Sequence, residues 1–257
     1  MTRTVDEVAR LGPWFHNLHL PDGTETAPDH PLGDFPHIKW RVLAPHLPER
    51  LDGWTALDIG CNAGFYAFEL ARRGARVTAI DLDPHYLAQA RWAARAYGLG
   101  DAIAFEQRQV YELADFNATY DLVLFLGVFY HLRYPLLGLD IVARRVRRLL
   151  AFQTLTTEEM EVQADTADRP LDARAALRTA GWPRMAFIEH RFAGDPTNWW
   201  VPNHAGVLAM LRSSGLRVSA QLPHELYLCQ PMPPDASDRA PYDFSPELRA
   251  ASGRAGA

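Results

Sequence analysis

The sequence predicts an α/β fold: a doubly wound, mostly parallel seven-stranded sheet with helices on both faces, an N-terminal arm, and an insertion before the last helix. Three observations predict it. From residue 54 onward, short apolar or β-branched runs alternate with stretches that are apolar at helical spacing. The run YDLVLFLGV (120–128) is continuously apolar after Asp121, as a strand buried on both faces of a parallel sheet should be. A glycine-containing loop, DIGCNAG (58–64), joins the first strand to the first helix of the alternation. With 257 residues, 48% of them hydrophobic and 22% charged, the chain has the size and composition of one generous globular domain.

Residues 1–45 read as an N-terminal arm or lid, within which 11–38 is rich in Pro, Gly and Asp broken by aromatics and so is ordered by packing, not by periodicity. A short helix over 39–47 leads into the domain proper, 46–230. WTALDIG (54–60) is the first strand, FYAFELARRG the helix after it, and ARVTAID (75–81) the second strand. PHYLAQARWAARAYG (84–98) is helical, with Pro84 in its first turn and Gly98 past its end. IAFEQRQV (103–110) supplies a third strand, 120–128 a fourth, 136–148 a helix and LLAFQTL (149–155) a fifth strand. The stretch 156–202, polar and then aromatic, interrupts the rhythm and reads as an insertion at the mouth of the site. The last good helix is 203–215, capped by Asn203, and LRVSAQL and ELYLCQ close the sheet. Residues 231–257 read as a flexible tail.

Several function classes fall away. Twenty-six Lys and Arg against 31 Asp and Glu give a net charge of −5, so nothing global favours nucleic acid or an anionic membrane. The longest apolar run has nine residues against the ~20 of a membrane-spanning helix, and the N-terminus lacks the apolar core of a signal peptide. Two cysteines, Cys61 and Cys229, make neither a disulfide framework nor a thiolate metal site. A soluble, cytoplasmic protein without a metal centre is expected. His16, His19, His30 and His37 could form a metal cluster, but, lying among prolines with no thiolate partner, they read as surface residues. Arg144, Arg145, Arg147 and Arg148 read as a solvated helix end favoured by the macrodipole.

The loop DIGCNAG carries the chemistry. In an open parallel sheet the ligand lies beyond the carboxyl ends of the strands, and glycines let the backbone approach it. Asp81 ends the second strand 23 residues after Asp58, where a carboxylate can accept both hydroxyl hydrogens of a ribose. The spacing is D-x-G-x-x-x-G, not the G-x-G-x-x-G of dinucleotide sites, which argues against a Rossmann oxidoreductase. An acid two residues before the first glycine is unhelpful beside a pyrophosphate and suits a ligand with a cationic amino-acid end. Taken singly, Asp58 could cap a turn and Asp81 could be a solvated acid; the pair on a strand–loop–helix–strand frame points to a nucleoside-type ligand.

This loop and its flanks resemble the first motif of the Rossmann-like, class I S-adenosylmethionine-dependent methyltransferases. The resemblance implies S-adenosylmethionine as cofactor, with Asp58 and Gly60 beside the methionine part, Asp81 on the ribose and Leu82 on adenine, and Asn62 and Gly64 of the same loop among the cofactor-binding residues. Asn62 stands where that family more often has glycine. Lys39-Trp40 followed by VLAPHL, the loop itself, Gly127-Val128-Phe129-Tyr130-His131 with Pro135, and the patch NWWVPN are similar to the tRNA wobble-uridine 5-oxyacetate methyltransferases and their relatives of unassigned substrate. That likeness covers about 35–225 and carries cofactor positions over to Lys39, Gly60, Asp81, Leu82, Asp83, Val110, Tyr111, Leu126 and Tyr130. The tRNA enzymes grip an added carboxylate on a modified cofactor with basic residues of the arm and C-terminus. Here 11–38 has no Lys or Arg and four acids, Asp22, Glu25, Asp29 and Asp34, so ordinary S-adenosylmethionine is the expected donor.

Methyl transfer is an in-line displacement that needs proximity, alignment and a dry site, and a base where the acceptor is a hydroxyl or protonated amine. Tyr130 and His131 follow the fourth strand at its carboxyl end and are the candidates. His131 has the pKa for proton removal near neutrality, while Tyr130 can instead bond the cofactor or orient the acceptor; both could also be packing residues. Lys39 can meet the cofactor carboxylate or snorkel along its helix. Trp14-Phe15 and Trp199-Trp200 read as core more than as a lid over the acceptor. The expected activity is methyl transfer to an oxygen or nitrogen of a small or medium polar acceptor. The alternatives are a tRNA wobble-uridine modifier and a non-catalytic cofactor-binding protein.

Overall fold

In the computed structural model, which describes residues 2–163, 168–233, 236 and 243–253, the predicted alternation forms one seven-stranded sheet. Its strands are β1 (Thr55–Ile59), β2 (Arg76–Asp81), β3 (Ile103–Gln107), β4 (Tyr120–Leu126), β5 (Val146–Gln153), β8 (Leu216–Leu222) and β9 (Leu226–Pro231), in the order β3-β2-β1-β4-β5-β9-β8. All neighbours from β3 through to β5 are parallel, and β9 runs antiparallel to both β5 and β8. Helices α3 (Phe65–Arg72), α4 (Pro84–Ala96), α5 (Pro135–Ala143) and α6 (His204–Ser213) connect them. No helix among the described residues is long and apolar enough to cross a membrane.

The period-2 alternation of each strand separates two cores. Ala56, Leu122, Leu124, Ala151 and Leu228 face α3, α4 and the arm, whereas Leu57, Ile59, Val123, Phe125, Phe152 and Tyr227 face α5 and α6. Phe125, Phe129 and Phe152 meet edge to face at 5.3–6.5 Å, and burying each contributes about 2–3 kcal/mol. Cys61 and Cys229 are free thiols buried on opposite faces.

The arm begins with α1 (Thr2–Arg10) and ends in α2 (Phe35–Leu43), with irregular backbone between. It is held by packing and by specific bonds to α4. Trp14, Leu18 and Leu20 are buried, and the Trp14 ring meets Trp92 edge-on at 5.9 Å. Gln89 donates to the carbonyls of Leu11 and Pro13, and the Tyr97 hydroxyl donates to that of His19.

Several expectations are corrected. The helix predicted over 136–148 stops at Ala143, and β5 starts at Val146, not at 149. Arg147 and Arg148 are therefore strand residues and both pair with Oδ1 of the buried Asp121 at 3.0 Å; a buried carboxylate needs such partners, and they take the basic run away from a helix end. The third strand ends at Gln107, after which 110–115 makes a 3-10 turn with a capping box from Gln109 and Glu112. The short helix expected over 39–47 begins earlier, at Phe35, and passes into a 3-10 turn over Ala44–His46. In the predicted tail, α7 (Ser245–Ala251) packs on α5 and buries Leu248; of the tail, 234–235, 237–242 and 254–257 lie outside the described residues. The insertion, apart from 164–167, holds a two-stranded hairpin, β6 (Met185–Phe187) with β7 (Trp200–Pro202).

Candidate active site

Between β1 and β4 the strand order reverses, and a cleft of about 460 Å³ opens beyond their carboxyl ends. The loops after β1, β2, β3 and β4 line its floor and walls, and Phe15, His16, Leu32, Phe35 and Lys39 of the arm form its roof.

The loop after β1 is tied to β2, since the amides of Gly60 and Cys61 both donate to the carbonyl of Ile80 at 2.8 and 3.0 Å. Gly60 has φ +70°, and a Cβ there would lie 2.4 Å from Cγ2 of Val128. Only glycine suits both the left-handed backbone and the contact. Gly60→Ala is expected to displace the loop and lower affinity for S-adenosylhomocysteine more than tenfold, measured by calorimetry against a wild type of equal far-UV circular dichroism. Asn62 is also left-handed, φ 49°, and its Oδ1 accepts from the Ala63 amide at 2.7 Å. Asparagine tolerates that conformation through such a local bond, which explains its presence in a glycine position.

Two carboxylates flank this loop. Asp81 lines the cleft and accepts from the amides of Asn62 (2.8 Å) and Asp83 (2.9 Å). Burial raises its pKa, with those amides opposing. Asp58 is only 2% exposed and lies beneath the loop, outside the lining residues. Its Oδ2 is buried with no hydrogen-bond partner, and burial, then the nearby Asp81 charge, push its pKa up to about 7 against the Ala67 amide. Leu82 is 56% exposed at the rim: an apolar side chain left for a flat ring to cover.

The remaining predicted positions divide. Lys39, Gly60, Asn62, Val110, Leu126, Tyr130 and His131 line the cleft with Asp81 and Leu82. Gly64, Asp83 and Tyr111 do not. Gly64, φ +90°, starts α3 where a Cβ would meet the Phe68 ring at 2.7 Å. Asp83 caps α4 by accepting from the His85 amide. The Tyr111 hydroxyl accepts from the Tyr134 amide. Lys39 Nζ donates to Oε1 of Gln153 at 3.2 Å, and burial lowers its pKa, with Glu225 opposing. The Tyr130 hydroxyl lies close over Gly127, and burial, with Asp195 and Glu225, raises its pKa to about 12, so it stays a donor.

His131 meets two residues that the sequence did not single out. Its Nδ1 is 2.9 Å from Oγ1 of Thr197 and 3.8 Å from Oδ2 of Asp195. The Thr197 hydroxyl and amide both donate to Oδ1 of Asp195 at 2.7 Å. Because the hydroxyl proton goes to the carboxylate, the Thr197 oxygen accepts from Nδ1–H, which leaves the lone pair on Nε2. Burial lowers the pKa of His131, with Asp195 opposing, so the ring is neutral at pH 7. A neutral imidazole held in one tautomer can take a proton. The only sequence signal for Asp195 and Thr197 was an Asx-turn pattern, D-P-T, 66 residues from His131 in the case of Thr197. His16, also unforeseen as a lining residue, is buried with its pKa driven down to about 3 by burial and then by Lys39, so it presents an uncharged ring. Trp199 and Trp200 are half-buried, not core: Arg133 lies over the rings of Trp199 and Phe187 at 4.6 and 5.3 Å.

An orphaned carboxylate oxygen under the loop, a glycine packed closer than any Cβ would allow, and an acid at the next strand end suit a ligand with an ammonium, a backbone-hugging chain and a ribose. Comparison with known proteins gives the same direction. Residues 56–152 match the family described as a methyltransferase domain. The chain is 27% identical over 210 residues to a tRNA U34 carboxymethyltransferase of Cellvibrio japonicus, covering 81% of this chain and 56% of that one. A ubiquinone biosynthesis O-methyltransferase of Methylocella silvestris is 42% identical over 86 residues, 34% of this chain and 33% of that one. The chain thus spans about half the length, or less, of the curated relatives it matches. Among solved structures, the N-terminal domain of EvdMO1, crystallised with SAH and D-fucose, superposes with a TM-score of 0.56 at 18% identity, covering 90% of this chain and 96% of that one.

Proposed function

We propose that this chain, whose residues 56–152 match the family described as a methyltransferase domain, is a class I S-adenosylmethionine-dependent methyltransferase that methylates an oxygen or nitrogen of a small or medium polar acceptor. The observation that carries the reading is the pair of carboxylates around the Gly60 loop, Asp81 lining the cleft and Asp58 buried with an unpartnered oxygen.

Bound S-adenosylmethionine supplies a methyl group on a sulfonium, whose positive charge disperses as the methyl leaves. Asp81 would hold its ribose hydroxyls, Leu82 its adenine, and Asp58 with the Gly60 backbone its methionine end, whose carboxylate Lys39 can reach. The roof of Phe15, Leu32 and Phe35 sets apolar side chains over the cleft, and displacing water there on ligand binding would strengthen the polar contacts beneath it. His131 takes the acceptor's proton on Nε2, and the resulting imidazolium is stabilised through Thr197 by Asp195. Tyr130 orients the acceptor or the donor from the same strand end.

The test is calorimetry with S-adenosylhomocysteine. Wild type should bind one equivalent, and Asp81→Ala should weaken it about thirtyfold or more, the effect of losing charge-assisted bonds of about 1.5–3 kcal/mol. Absence of binding, or an unchanged Asp81→Ala, would overturn the reading. The likeness to tRNA U34 carboxymethyltransferases favours a second reading, a wobble-uridine modifier. Against it stand the acidic arm and a net charge of −5. Retention of bulk tRNA at physiological salt, with a steep salt slope, would select it.

A further inference from the structure

The arm that roofs the cleft brings together three side chains for which the methyl-transfer reading has no use. His19, Asp34 and His37 each offer one ligand atom, and all three atoms lie within 4.8 Å of one another. We propose that they form a binding site for a divalent transition metal, zinc above all, that ties the irregular part of the arm to α2.

Asp34 carries the argument. It occupies the N-cap position of α2, where an aspartate ordinarily accepts from an amide of the first turn, yet its side chain makes no cap bond. Its Oδ2 instead lies 2.7 Å from Nε2 of His19, and its Oδ1 is buried without a partner. A carboxylate that forgoes its cap and leaves an oxygen unpaired is poised for a cation. His37 follows three residues later, on the same side of the helix's first turn. His19 arrives from the other direction, on the isolated bridge to Glu25, its carbonyl held by the Tyr97 hydroxyl.

A tetrahedral zinc with bonds of about 2.0–2.1 Å holds its ligand atoms about 3.3 Å apart, so side-chain rotation alone converts the present spacing. Glu25, with Oε2 3.9 Å from Nε2 of His19 and steadied by Asn17 Nδ2 at 2.6 Å, is placed to approach as a fourth ligand or through water. Two imidazoles with carboxylates favour zinc, nickel or cobalt over magnesium and calcium, which want oxygen throughout. The other two histidines of the arm are accounted for differently. His16 is buried against Phe35, Phe65 and Tyr66, and Nδ1 of His30 accepts from the Leu32 amide.

A simple His19–Asp34 hydrogen bond has no need of His37, and that separates the two explanations. The chelator-treated full chain is titrated with zinc chloride in a calorimeter at pH 7.5. One equivalent should bind, His37→Ala and Asp34→Asn should each weaken it at least tenfold, and His46→Ala, an exposed histidine elsewhere, should not. Cobalt(II) should give the visible absorption of a four-coordinate ion in wild type and lose it in His37→Ala. His37 is exposed on a helix, so its alanine variant folds, which far-UV circular dichroism checks. No saturable heat in wild type, or undiminished affinity in His37→Ala, would overturn the proposal. Titration of the same samples with S-adenosylhomocysteine reports on the donor site separately, so either conclusion can fail alone.

Discussion

Replacing Asp58 by asparagine is expected to raise the melting temperature at pH 8 by about 5 °C and to weaken S-adenosylhomocysteine binding about tenfold or more. The two effects have one cause. In the fold the Asp58 pKa stands near 7, against 3.8 for the free side chain, because burial and Asp81 disfavour the charge. Below pH 3.8 both folded and unfolded chains hold the proton and the group is neutral in its effect. As pH rises towards 7 the unfolded chain releases a proton that the folded one keeps, so stability falls, and above 7 the deficit levels at about 4 kcal/mol. Asparagine has no such titration, although its amide leaves a donor unsatisfied at a cost of about 1–3 kcal/mol. The net gain should therefore be clear at pH 8 and close to zero at pH 5. Binding moves the other way, since the ionised carboxylate is the natural counter-charge for an ammonium in a dry site. Scanning calorimetry at both pH values with ligand titration at pH 8 checks this; a lower melting temperature at pH 8, or unaltered binding, contradicts it.

His131→Ala should lower turnover about a hundredfold or more and leave affinity for S-adenosylhomocysteine within about twofold of wild type. The assay is release of S-adenosylhomocysteine with whichever hydroxyl or amine acceptor a panel, total tRNA included, returns. In wild type the acid limb of the rate profile should have its midpoint below 6.5, because burial lowers the His131 pKa. Activity is then present above that midpoint and lost as pH falls through it. Asp195 opposes the shift, so Asp195→Asn should carry the midpoint lower still. Thr197→Val, which removes the bond that selects the tautomer, should reduce turnover without displacing the donor. A merely structural role for His131 would move stability and donor affinity together and would leave the pH limb in place.

The strand–helix alternation and the Gly60–Asp81 end of the cleft were legible because their signals are local. Continuous apolar runs mark β1 and β4, a left-handed glycine marks the turn at Gly60, and Asp81 follows at a spacing set by one helix and one strand. The His131 end of the cleft was not legible. Asp195 and Thr197 meet His131 across 64 and 66 positions of the chain, and no periodicity encodes that contact. Resemblance carried Tyr111 and Asp83 to the site by position, but each spends its side chain on a neighbouring amide. The early start of β5 was hidden by Arg147 and Arg148, which look like a solvated helix end until Asp121 is seen beneath them. The sparse apolar content around Leu248 likewise concealed α7.

What the residues dictated unaided was the α/β class and a nucleoside-type pocket at the tips of its first strands, because hydrophobic period and backbone handedness act between near neighbours. What only the assembled molecule decided was which groups share a space: that Asp58 is sealed under its loop, that an insertion residue, Thr197, meets His131, and that one aspartate and two histidines of the arm converge. Those depend on burial and on long-range proximity, which arise only once the sheet has drawn distant segments together.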